Sequence, residues 1–151
     1  MNYLETDTET GLCYIKESLA NGAAVPLTVT GSSMMPLLRP QRDVVWLEMC
    51  DTEQIKKGDI VLFERNNGKP VLHRVRKVED DGTLLMNGDA LFWSETIEKK
   101  QIVACVKRFK HNKKIFTCDS LTVKLWNMCW HVTRPFRSVL RKIHSLFIKK
   151  Q

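Results

Sequence analysis

Nothing in this 151-residue chain approaches the roughly 18 consecutive apolar residues that a spanning helix needs, so no conventional transmembrane helix is expected. The first residues, MNYLETDTETGL, are acidic and contain no apolar segment, so no secretory signal is expected either. With only 7 glycines and 5 prolines, a collagen-like or low-complexity chain is excluded. No Cys-x-x-Cys pair occurs among Cys13, Cys50, Cys105, Cys118 and Cys129. Their number is odd, and the simplest reading is free thiols in a reducing compartment. Cys129 and His131 are close in sequence, but two ligands do not make a zinc site, and no metal or cofactor is expected. There is no phosphate-binding Gly-rich loop and no dinucleotide fingerprint.

Acidic residues are absent from the last stretch of the chain. Leu121 to Gln151 holds seven Lys/Arg and no Asp/Glu, so it carries the whole net charge of +7. The remaining 17 basic side chains balance the 17 acidic ones, and residues 1–120 are neutral. A basic tail on a neutral body points to an anionic surface addressed by the tail alone. With 43% hydrophobic and 27% charged residues, the chain has the composition of a folded globular protein.

The hydrophobic pattern divides the same way. Residues 9–20 show helical spacing of Leu12, Tyr14, Ile15 and Leu19, stopped at Asn21-Gly22. Short β-rich runs follow at 25–30, 44–49, 59–64, 71–78, 83–86, 102–110 and 114–118. Asn66-Asn67-Gly68 between two of them marks a β-hairpin, and Asp80-Asp81-Gly82 a second turn. The expected fold is mainly β: a bent antiparallel sheet with a short N-terminal helix. The domain is expected over residues 1–118, with its core at 22–118. Residues 119–151 switch to a period of three to four, with Leu125, Cys129, Val132, Phe136, Val139, Ile143 and Leu146 on one stripe. They are expected to form a basic amphipathic tail of one helix, or of two meeting at Pro135.

One segment carries the residues of a reactive site: Val29-Thr30-Gly31-Ser32-Ser33-Met34-Met35-Pro36. It is not the Gly-x-Ser-x-Gly elbow of α/β-hydrolases. Gly58-Asp59-Ile60-Val61, Val71-Leu72-His73-Arg74-Val75 and Asn87-Gly88-Asp89-Ala90 follow it in order. Together these segments resemble the signal peptidase I and LexA-like serine peptidases over residues 22–110. The histidine at position 73 is similar to the endoplasmic-reticulum and archaeal type, where bacterial signal peptidases have lysine. The resemblance implies a serine endopeptidase of LexA/signal-peptidase fold that cleaves signal or leader-type peptides or precursor proteins, with small residues favoured before the cut. Two positions depart from it: Gly31 stands where signal peptidases have a serine, as in the LexA-like branch, and Arg42 replaces the glycine before Asp43.

The chemistry of these residue types agrees. A serine hydroxyl needs a base within hydrogen-bond reach, and a histidine with an ordinary pKa near 6.5 can take its proton and pass it to the leaving amine. The expected catalytic set is Ser33, His73 and Asp89, with Asp89 fixing the imidazole tautomer and Glu95, six residues on, as a second acidic candidate. Gly31, Ser32 and Ser33 are expected to hold substrate and oxyanion through backbone N–H groups. On a strand, Val71, His73 and Val75 share one face, which is expected to point inward while Arg74 and Arg76 point out. The expected partners are a peptide substrate and peripheral membrane contact through residues 120–150, in the cytoplasm or at its membranes, without nucleic acid. A non-catalytic membrane- or partner-binding β module is the alternative. A nucleic-acid binder ranks third, since cations alone reach phosphate but the body shows no aromatic stacking platform.

Overall fold

The structure is a computed structural model that describes residues 8–133. Helix α1 (Thr8–Ala20) is followed by strands β1 (Val25–Thr28), β2 (Val44–Glu48), β3 (Ile60–Glu64), β4 (Pro70–Val78), β5 (Leu84–Asn87), β6 (Glu95–Ile97), β7 (Ile102–His111) and β8 (Lys114–Thr117), then helix α2 (Leu121–Val132). The eight strands form one antiparallel sheet in the order β1-β2-β7-β3-β4-β5-β6, with β8 paired to β7. The protein is thus mainly β, a LexA-like body with short helices. The chain divides into two units, one ending at Cys118 and one beginning at Asp119.

Turn chemistry sets the strand ends. In the β3–β4 hairpin Gly68 takes φ +78°, a left-handed value that suits glycine, and its N–H donates to Arg65 O at 2.8 Å. Between β4 and β5, Gly82 sits at φ +83° while Asp81 Oδ1 accepts from the Thr83 N–H at 2.9 Å. β3 (IVLFE) is apolar on both faces because both are covered, and Ile60, Val61, Leu62 and Phe63 are all buried. Val61 and Phe63 pack with Ile55, Val75, Leu84, Met86, Ile97 and Cys105 in one core cluster. Each such side chain contributes about 1.5–3 kcal/mol by leaving water.

Three readings of the sequence change here. β6 was not expected: three residues, two of them polar, give no alternation to detect. Arg74 does not point outward; it is 1% exposed, because the middle of β4 is covered on both faces. The pairing with β5 also slips between Val75 and Lys77, where a bulge breaks the alternation. Finally, not every cysteine is a free thiol: Cys50 and Cys105 form a disulfide with Cα atoms 5.5 Å apart. The tail expectation is met over α2 as a helix; its continuation through Pro135 to Gln151 lies outside the described residues.

Candidate active site

Ser33 lies in the long connection between β1 and β2. Two buried side chains of that connection, Met34 and Leu38, anchor it in the core, and the Leu38 N–H closes a turn on Met34 O at 3.0 Å. The Met35–Pro36 peptide bond is cis. The far end is fixed by Asp43, which is fully buried. Its carboxylate accepts from the Arg39 N–H at 2.8 Å and from Arg42 Nε and Nη2 at 2.7 and 2.9 Å, and meets His111 Nδ1 at 2.9 Å. Burial pushes the Asp43 carboxyl up, but these hydrogen bonds and the His111 charge outweigh it and hold it below the usual carboxylate range. Arg42 thus closes an ion pair with its neighbour.

The second support of Ser33 is the segment after β5. The Ala90 N–H donates to Ser33 O at 2.8 Å. Gly88 lies so close that an added Cβ would meet Ser33 O at 2.7 Å and Ser33 Cβ at 2.9 Å, so glycine is required there by close approach. Next to it, Asp89 is buried, and its two carboxylate oxygens receive Arg74 Nε at 2.8 Å and Nη2 at 2.7 Å. Arg74 Nη1 also donates to Gly58 O at 2.9 Å. The two Gly-Asp steps noted in the sequence therefore converge on one buried guanidinium, which ties the turn before β3 to the segment that grips Ser33.

His73, in mid-β4, is 2% exposed and flanked by Phe63 and Trp93, with ring centroids at 6.0 and 6.1 Å. The carboxylate set against its Nδ1 is that of Glu95, at 3.3 Å. The approach is off-line, so Nδ1 forms an electrostatic contact and no aligned hydrogen bond. Glu95 is itself held by a fork from Arg65, Nε to Oε2 at 2.7 Å and Nη2 to Oε1 at 2.6 Å. The Arg65 guanidinium lies 5.8 Å from the centre of the Trp93 ring. Burial lowers the His73 pKa below its ordinary value; Glu95 and Asp89 oppose that shift and Arg65 adds to it. The imidazole is consequently neutral near pH 7 and able to accept a proton.

Ser33 and His73 open on one cavity of about 740 Å³. Gly31, Ser32 and Met34 also line it, with Leu27–Thr30 of the first strand and its extension, Leu12 and Ile15 of α1, and Arg65, Lys69, Leu91 and Trp93. No Ser33–His73 hydrogen bond is formed among the described residues. Of the residues expected at the site, Gly31, Ser32, Ser33 and His73 share the cavity, while the Asp89 carboxylate is occupied by Arg74. Arg65 and Trp93 were not singled out from the sequence. An arginine beside a turn and a tryptophan in a coil carry no local signal, and only the sheet order β3-β4-β5-β6 brings them to His73.

A mainly β body thus brings a half-buried loop serine and a buried strand histidine to one cavity. The Peptidase S24-like family matches residues 2–110, and the chain belongs to this family. No curated protein matches the chain.

Proposed function

We propose that the protein is a serine endopeptidase with Ser33 as nucleophile and His73 as general base. The observation that carries this reading is the placement of Ser33 and a desolvated, neutral His73 on the same cavity. His73 takes the Ser33 hydroxyl proton as Oγ attacks the scissile carbonyl, then delivers it to the leaving amine. Water, activated by the same imidazole, releases the acyl group. Glu95 takes the orienting role first expected of Asp89: it faces Nδ1 and favours the imidazolium that forms in the transition state. Asp89 acts through Arg74 to seat the serine loop, and its charge adds to the same stabilisation. The Ser33 N–H, which donates no backbone hydrogen bond among the described residues, serves the oxyanion together with the neighbouring Gly31–Ser32 backbone.

The substrate is an extended segment of a signal- or leader-type peptide or a precursor protein. Among the described residues β1 ends the strand order of the sheet and pairs only with β2, so its other edge is the place beside the cavity where a further strand can add. A peptide laid along that edge gains main-chain hydrogen bonds, while Leu27, Val29 and Leu72 receive apolar side chains near the cut. A fluorophosphonate probe tests the nucleophile. The wild type is expected to be labelled at Ser33, as read by peptide mass, and His73→Ala to lose the label. Labelling absent or located on another serine would refute the assignment.

A further inference from the structure

We propose that α2 is a docking surface for an anionic lipid bilayer, lying in the interface and holding the peptidase body beside membranes. This goes beyond the proposed chemistry and stands on different residues. On α2, Leu121, Leu125, Met128 and Val132 recur at spacings of four, three and four, which puts them on one narrow stripe. All four are exposed, at 78%, 57%, 56% and 67%. A run of large apolar side chains facing water marks a surface that expects a partner. Trp126, 44% exposed, stacks on Trp130 with ring centroids 6.1 Å apart on the side of the helix away from the stripe, and takes no part in the docking face.

The charge of the sequence from Leu121 onward selects the occupant. Within α2 the one charged residue is Lys124, and from Leu121 to Gln151 the sequence holds seven Lys/Arg and no Asp/Glu. A protein groove for an amphipathic helix needs only the apolar stripe. Cations with no acid among them over 31 residues match a continuous field of negative headgroups instead. No helix of the described residues is long and apolar enough to cross a membrane, so the helix lies on the bilayer and does not span it.

The test is co-sedimentation of the full chain with vesicles of phosphatidylcholine mixed with phosphatidylglycerol, against phosphatidylcholine alone, at low and high salt. The expected result is capture by the anionic vesicles that weakens as salt rises. The pair Leu125→Glu and Met128→Glu should cut partition about tenfold or more with an unchanged circular dichroism spectrum. Should that pair lose helical signal, Arg137→Glu with Arg141→Glu leaves the stripe intact and carries the same expectation. No capture, capture indifferent to lipid charge, or capture unchanged by either pair overturns the proposal. So does self-association in lipid-free solution that the stripe variants abolish while vesicle binding is absent, because the stripe then serves a second copy of the chain.

Discussion

At the scale of single residues, the proposed chemistry turns on the properties of His73. Buried among Phe63 and Trp93, it loses its proton below the ordinary histidine range, and only the neutral ring can act as base. Activity should therefore rise with pH along a limb centred below about 6.5, the unperturbed histidine value. Two substitutions should move that limb in opposite directions. Glu95→Gln removes a charge that favours imidazolium, so the limb moves to lower pH, while the rate falls about a hundredfold or more as the ring loses its orienting carboxylate. Arg65→Ala removes a charge that disfavours imidazolium, so the limb moves to higher pH. Profiles of kcat/KM against pH for the three proteins check both signs. Limbs that coincide would mean that neither group acts on His73. Ser33 and His73, which the structure brings to one cavity, could be singled out in the sequence because they stand in motifs with definite spacing. The Arg65–Glu95 fork was not, since its partners lie 30 residues apart and meet only through the sheet.

At the scale of elements, the serine loop is held from two sides. Gly88 presses on the Ser33 backbone, and Gly88→Ala forces a Cβ to within 2.7 Å of Ser33 O. The expected outcome is a large loss of activity with a modest loss of stability, about 1–3 kcal/mol. Peptide turnover and chemical denaturation of the same sample would read both. Arg74→Ala removes the guanidinium fork from the buried Asp89 carboxylate and should cost about 3–5 kcal/mol. Asp89→Asn should be milder, because a neutral amide keeps part of the hydrogen bonding to Arg74. A larger loss for Asp89→Asn than for Arg74→Ala would contradict this division. The strands themselves were readable because their turns carry glycine at positive φ, at Gly68 and Gly82, beside Asn67 and Asp81. Alternation failed at Arg74, where burial on both faces and a bulge one step later remove the period of two.

At the scale of the whole molecule, the core cluster around Val61 and Phe63 supports the strands that position the site. Phe63 is fully buried in that core and also touches the His73 ring, so it links stability to chemistry. Phe63→Ala should lower stability by about 3–5 kcal/mol in denaturant titration. The mainly β class was legible from the sequence as a whole because polar turns recur between short β-branched runs. The Cys50–Cys105 pairing was not, since the two positions are 55 residues apart and approach only across folded strands. The central claim, cleavage of peptide bonds by Ser33 with His73, is tested most directly by exposing a diverse peptide library to wild type, Ser33→Ala, His73→Ala and the double variant, then reading new termini by mass spectrometry. The account predicts a defined set of cuts by wild type, a loss of about 10²-fold or more in each single variant, and a double variant no worse than either single one, because the pair acts as a unit. Cuts that persist in Ser33→Ala, or a wild type that cleaves nothing in the library, would contradict it.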